Sequence, residues 1–166
     1  SASSTLAAAR TISIGAGGFV AGQLALPRFT QTGSTSQTLN TLSGTAQLTI
    51  GPNSDFGGNV NFAAPRLFLN GAIYRGAASL EKTGASGDFS SGGNTFQGTT
   101  TITNSGSDEF VLGNGNADIF NGATTFNNTG SFRIRVAYNH SGQTTTFNGN
   151  VTLNSNKSGG TDQWSF

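Results

Sequence analysis

The stretch from Ile119 to Phe126, IFNGATTF, supports two incompatible folds. Asn121-Gly122 between alternating apolar residues is the signature of a two-residue hairpin, which leads to an antiparallel protein. Read differently, Phe120, Gly122, Thr124 and Phe126 share one face of a strand, because successive strand side chains point to opposite sides. Other copies of the pattern decide between them. An apolar residue followed two later by Gly, with apolar or small residues at +4 and +6, occurs at Val20-Gly22-Leu24-Leu26, Leu42-Gly44-Ala46-Leu48 and Phe56-Gly58-Val60-Phe62. It recurs at Tyr74-Gly76-Ala78-Leu80, Phe96-Gly98-Thr100-Ile102, Phe120-Gly122-Thr124-Phe126 and Phe147-Gly149-Val151-Leu153. The residue before Gly is Ala21, Ser43, Gly57, Arg75, Gln97, Asn121 or Asn148. A type I′ turn needs φ > 0 at both central positions, and Arg75 and Gln97 are poor candidates for it. The constant feature is the period-2 face. The motif therefore reads as the opening of a strand, with Gly leaving room beside the aromatic ring.

The copies start 22, 14, 18, 22, 24 and 27 residues apart. A second strand follows in the longer copies, with Phe110 and Leu112 alternating in DEFVL and Phe132, Ile134, Val136 and Tyr138 in FRIRVAY. Between the two strands, TNSGS (Thr103 to Ser107) and NNTGS (Asn127 to Ser131) have the Gly and Asn content of corners. No single repeat of this kind can bury its apolar side alone, so the repeats must stack. The prediction is an all-β, right-handed parallel β-solenoid with irregular rungs of about 14–27 residues. Its core would contain a column of Phe56, Tyr74, Phe96, Phe120 and Phe147, flanked by the Gly column. The outward face is polar, carrying Thr45, Gln47, Thr49, Asn59, Asn61, Thr99, Thr101, Thr103, Thr125, Asn150 and Thr152. The alternative is an antiparallel β-sandwich built of hairpins. STLAAAR (Ser3 to Arg10) is the one helix-like piece, so residues 1–19 read as an N-terminal cap or extension of a single domain spanning 1–166.

Composition narrows the function classes. The chain has 166 residues with eight Lys and Arg, seven Asp and Glu, and a net charge of +1. That leaves no electrostatic footprint for nucleic acid or an anionic membrane. Its 13 Phe speak against a disordered chain. The absence of Cys rules out disulfides, thiolate metal sites and Cys nucleophiles. FVAGQLAL (Phe19 to Leu26) is too short to span a membrane. Beginning at Ser1, the chain reads as a processed product or a fragment.

The segments TFQGTTTITNSGS (95–107), IFNGATTFNNTGS (119–131) and TFNGNVTLNSNKSGG (146–160) resemble the Phe-Asn-Gly and Thr-rich repeat arrays of large secreted surface proteins of Bacteroidota. More loosely, they resemble the β-helical shafts of filamentous haemagglutinin-type adhesins. The close resemblance covers residues 94–166; the first ninety follow the pattern loosely. It implies an extracellular or cell-surface location and a role as adhesin, stalk or fibre. It carries over no catalytic residue and no cofactor.

The chemistry-bearing residues are sparse. The acids are Asp55, Glu81, Asp88, Asp108, Glu109, Asp118 and Asp162; only Asp108-Glu109 are adjacent, and in a strand they point apart. His140, the single histidine, lies in YNHSG, a turn by composition. GNGNADIF (Gly113 to Phe120) partly matches the calcium-binding nonapeptide of β-rolls and makes Asp118 a calcium candidate. The competing role for Asp118 is to cap a backbone N–H at a Gly/Asn corner. A Thr-rich outer face suits an ice-binding module only if the same Thr pair recurs in every rung. Trp164 is the candidate for stacking on a surface glycan.

These readings converge on a non-enzymatic structural protein without cofactor, an adhesin segment or self-assembling filament. A sugar- or ice-binding module is the alternative. Nothing cap-like appears in QWSF, so end-to-end contact through Trp164 and Phe166 is expected. Aligning NSGSDEFVL (104–112) with NTGSFRIRV (128–136) sets Glu109 against Arg133 across adjacent rungs. It also sets Arg135 over Val111, with Asp162 as its prospective partner.

Overall fold

The computed structural model describes residues 2–139 and 141–156. Among these there is no helix. The first sheet comprises β1 (Ser4–Leu6), β3 (Phe29–Gln31), β6 (Asp55–Phe56), β9 (Ile73–Tyr74), β12 (Thr95–Phe96), β15 (Ile119–Phe120) and β18 (Thr146–Phe147), in that spatial order. The second comprises β4 (Gln37–Leu39), β7 (Val60–Ala64), β10 (Ala78–Lys82), β13 (Thr100–Asn104), β16 (Thr124–Asn128) and β19 (Val151–Ser155). Two three-stranded sheets complete the structure. One is β2 (Gln23–Leu26), β5 (Gln47–Ile50) and β8 (Arg66–Leu69); the other is β11 (Asp88–Phe89), β14 (Phe110–Val111) and β17 (Ile134–Arg135).

Every pairing is parallel and joins one turn of chain to the next, so the protein is a β-solenoid of about six turns. Register in the first sheet gives the turn lengths. The partners are Ser4 and Phe29, Thr30 and Asp55, Asp55 and Ile73, Ile73 and Thr95, Thr95 and Ile119, and Ile119 and Thr146. The steps are therefore 25, 25, 18, 22, 24 and 27 residues.

IFNGATTF is neither a hairpin nor one strand. Ile119–Phe120 is β15 of the first sheet and Thr124–Asn128 is β16 of the second; Asn121 to Ala123 turn the corner between them. Gly122 is not in the left-handed region, so no primed turn is present. It is required by close approach. A Cβ there would lie 2.5 Å from the carbonyl carbon of Gly98 and 2.8 Å from the nitrogen of Thr99, and closer still to the Gly98 oxygen. Gly98 stands in the same relation to Gly76, and Gly149 to Gly122. The Gly column makes room for the corner of the rung below, not for the aromatic ring as the sequence suggested.

The first two copies of the motif are misplaced by the sequence alignment. Val20-Gly22-Leu24-Leu26 and Leu42-Gly44-Ala46-Leu48 run into β2 and β5, in a different sheet from the aromatic column, with Leu24 opposite Leu48 and Leu26 opposite Ile50. The apparent 14-residue step from Leu42 to Phe56 crosses between sheets. Beneath Phe56 the column is continued by Phe29, at 5.4 Å between centroids. STLAAAR contains no helix: Ser4–Leu6 pairs with Phe29–Gln31 as the lowest strand of the first sheet.

The core consists of like residues stacked along the axis. In the second sheet one column is Leu39, Phe62, Leu80, Ile102 and Phe126, and another is Val60, Ala78, Thr100 and Thr124; Leu153 and Val151 continue them in register but are exposed on the last described turn. Leu48 and Leu67, Ile50 and Leu69, then Phe110 and Ile134 close it from the remaining side. Of the FRIRVAY alternation, Ile134 and Val136 are buried, whereas Phe132 is 39% exposed.

Candidate functional site

The most regular feature is the aromatic column. Ring centroids lie 5.6 Å apart for Phe56–Tyr74, 4.8 Å for Tyr74–Phe96, 4.7 Å for Phe96–Phe120 and 4.9 Å for Phe120–Phe147, with interplanar angles of 6–8°. The ring spacing follows the strand repeat, so the backbone ladder holds the rings in register. Phe62 and Phe126 of the second sheet meet the column edge-on. Tyr74 is the exception in chemistry: burial pushes its phenol well above the ordinary value, and its hydroxyl has no hydrogen-bond partner among the described residues. Tyr74→Phe keeps the stack and removes the unpaired hydroxyl. It is expected to raise stability by about 1 kcal/mol, seen as a higher urea midpoint with an unchanged slope.

Polar residues line the corner two positions before four of the five rings, at Ser54, Asn94, Asp118 and Thr145; before Tyr74 the position is Ala72. The Ser54 hydroxyl donates to the Leu26 carbonyl and accepts from the Phe29 N–H. The Asn94 side-chain oxygen accepts from the N–H groups of Gly71 and Ala72. Asp118 Oδ1 accepts from the backbone N–H of Asn94 at 2.8 Å and from its side-chain amide at 2.9 Å. Asp118 is thus buried at a corner, where its Oδ1 caps the Asn94 N–H. Among the described residues no group of three or more His, Cys, Asp or Glu is placed to hold a metal ion.

A second polar column stands at the other corner. Lys82, Asn104, Asn128 and Ser155 are in register, and the first three are buried. The sequence shows this column as Lys-Thr-Gly at 82–84, Asn-Ser-Gly at 104–106 and Asn-Thr-Gly at 128–130. The Asn104 amide donates to the carbonyls of Asp108 and Arg133, and Lys82 Nζ to those of Gly84 at 2.6 Å and Asp108 at 3.3 Å. Burial pulls the Lys82 ammonium below its usual value.

Electrostatically coupled to Lys82 is a carboxylate that the sequence did not single out. Asp88 is fully buried at the joint between β8 and β11, where the backbone ladder is interrupted. Its Oδ2 accepts from the Leu67 N–H at 2.7 Å, its Oδ1 from Arg66 Nε at 3.4 Å, and the Ser90 hydroxyl takes the Leu69 N–H at 3.0 Å. Side chains here satisfy donors that a strand would otherwise occupy. Burial pushes the Asp88 carboxyl up to about 6, against the opposing pull of the Leu67 N–H, Lys82 and Arg66.

In the β11–β14–β17 sheet, Phe110 aligns with Ile134 and Val111 with Arg135. Glu109 Oε2 meets Arg133 Nε at 3.0 Å and Arg135 Nε at 3.2 Å. Arg135 therefore shares the carboxylate of Glu109; its expected partner Asp162 lies outside the described residues, as do His140, Trp164 and Phe166. The Arg135 guanidinium also lies over the Tyr138 ring at 4.6 Å, and Arg133 over Phe132 at 5.2 Å. A double-mutant cycle on Glu109 and Arg133 is expected to give a coupling of about 0.5–1 kcal/mol that shrinks in high salt. A second cross-rung pair, Arg75 with Asp55, is bidentate at 2.7 Å.

The outward face of the second sheet carries the pairs Asn61/Ala63, Ser79/Glu81, Thr101/Thr103, Thr125/Asn127 and Thr152/Asn154 on successive rungs. All but Ala63 are polar, and no pair is repeated. No protein-family model matches the sequence, and neither a curated protein nor a solved structure matches the chain.

Proposed function

We propose that the chain is a non-enzymatic shaft segment of a bacterial extracellular fibre or cell-surface adhesin. The observation that carries this reading is the aromatic column running unbroken from Phe56 to Phe147, with near-parallel rings at every step. Resources are concentrated in axial continuity: stacked rings, two polar corner columns and two sheets that continue from turn to turn. The varied outward pairs favour a shaft over an ice-binding face, which needs one repeated pair. The resemblance to Phe-Asn-Gly repeat arrays points the same way and supports an extracellular location. In this reading the rod grows end to end, by further repeats or by another copy stacking head to tail. Negative-stain electron microscopy of the purified chain is expected to show rods whose length increases with concentration. Uniform particles of single-chain length at all concentrations would remove self-assembly from the proposal.

A sugar-binding module is the second reading, favoured by one surface. Phe89 and Phe132 are exposed; the Tyr138 ring stands edge-on to Phe89 at 6.2 Å, and Arg133 of the Glu109–Arg133–Arg135 cluster lies over Phe132. Glycan-array binding lost on Phe89→Ala and Phe132→Ala would move the assignment to that class.

A further inference from the structure

Four Asn-Gly dipeptides occur in the sequence: Asn70-Gly71, Asn114-Gly115, Asn121-Gly122 and Asn148-Gly149. Such a pair can modify itself. The Gly main-chain nitrogen gives up its proton to hydroxide and attacks the Asn side-chain carbonyl carbon. A C–N bond closes a five-membered succinimide, the bond from Cγ to Nδ2 breaks, and the side-chain nitrogen leaves as ammonia. Water then adds to either ring carbonyl, giving aspartate or isoaspartate, with no oxidant or reductant involved. Glycine favours the step because no side chain obstructs the attacking nitrogen.

The fold treats the four pairs differently. The Gly71 N–H is held by Asn94 Oδ1 at 3.1 Å; donors reach Asn70 Oδ1 from Ser91 and Asn114 Oδ1 from Asn139, so what sets these two pairs apart is the state of the attacking nitrogen. The Gly115 N–H donates to the Gly113 carbonyl at 3.1 Å. In both, the nucleophile is engaged. The N–H groups of Gly122 and Gly149 have no hydrogen-bond acceptor among the described residues, and Asn121 and Asn148 are exposed at the corner between the two large sheets. Between these two, Asn121 has an added advantage. Asn148 Nδ2 donates to Asn121 Oδ1 at 2.8 Å. That bond draws electrons from the carbon under attack and stabilises the oxyanion that develops on Oδ1, as an oxyanion-hole donor does. No equivalent donor reaches Asn148 Oδ1 among the described residues.

We infer that Asn121 is a self-modification site of the folded solenoid, converting to aspartate and isoaspartate ahead of Asn148, while Asn70 and Asn114 are protected. The isoaspartyl product threads an extra carbon into the main chain at the corner where Gly122 packs on Gly98. Conversion therefore loosens the contact between those two turns and sets a fixed negative charge beside Asn148.

The test is incubation of the full chain in mildly alkaline buffer, folded and in concentrated urea, followed by peptide mapping with mass spectrometry and isoaspartate detection. In the folded chain Asn121 is expected to convert at least about tenfold faster than Asn70 and Asn114, equivalent to about 1.4 kcal/mol in barrier. In urea the four should fall within a few-fold of one another. Asn148→Ala, which removes the donor, should slow conversion of Asn121 several-fold in the folded chain. The inference is overturned if Asn70 or Asn114 keeps pace with Asn121 in the folded chain, or if no Asn-Gly pair converts. An unchanged or faster rate in Asn148→Ala overturns it equally.

Discussion

Replacing Gly122 by alanine is expected to destabilise the solenoid by about 3 kcal/mol, the upper end of the range for inserting a methyl group into packed structure. The added carbon would meet the main chain of Gly98 and Thr99 rather than a side chain able to rotate away. Relief requires separating two turns, which also disturbs the stacking of Phe120 on Phe96. Gly17→Ala is the matched control, since nothing lies within 4 Å of its added carbon and its φ is not positive. Urea unfolding of both variants checks the claim. A Gly122→Ala midpoint within error of the Gly17→Ala midpoint would mean that the rungs are not in contact at this corner.

Asp88→Ala is expected to lower stability by about 3–5 kcal/mol, the loss typical of removing one partner from a buried charged network. It strips the acceptor from the Leu67 N–H and removes a negative charge that favours the buried Lys82 ammonium. Asp88→Asn should cost less, because it retains an acceptor of similar shape. Comparing wild type with Asp88→Asn also isolates a pH dependence. The folded Asp88 carboxyl, near 6, lies above its ordinary 3.8, so the folded chain binds this proton more tightly than the unfolded chain does. Its contribution is fully present below about pH 4, falls as pH rises through about 6, and is flat above that. The stability of wild type relative to Asp88→Asn should decline across that window in guanidinium titrations. A relative stability that rises with pH there would mean that the Leu67, Lys82 and Arg66 contacts outweigh burial.

The fold was legible where the period-2 pattern and the aromatic rings coincide. From Phe56 onward, the spacing of Phe or Tyr with Gly locates every turn of the first sheet, because ring stacking and close backbone approach both demand strict positions. Before Phe56 the signal misleads. Gly22 and Gly44 both have positive φ, at 83° and 59°, and serve turns in a different sheet, so identical letters answer to a different physical need. The corner at Asn121–Ala123 was also hidden, since alternation of facing persists through the bend and one strand cannot be told from two by period alone. Glu109 and Arg133 could be aligned through the shared Asn-Ser/Thr-Gly-Ser corner. Asp88 could not, because the ladder breaks beneath it and no neighbouring repeat offers a matching letter. Lys82 was visible in principle: Lys-Thr-Gly stands where later turns have Asn-Ser-Gly and Asn-Thr-Gly.

That break beneath Asp88 gives the molecule a direction of preferred bending. Two sides of the stack are laced by main-chain ladders from turn to turn, whereas the third is joined at its middle by side chains from Asp88 and Ser90, by Asn70 with Ser91, and by one main-chain bond from Gly92 to Leu69. Flexure that compresses or stretches the laced sides must strain many bonds at once. Flexure that opens the third side concentrates strain on these few contacts, with the laced corner acting as the spine of a book. Under sideways load the solenoid should yield first at the β8–β11 joint, in one plane, and at a threshold set by the protonation of one carboxyl group.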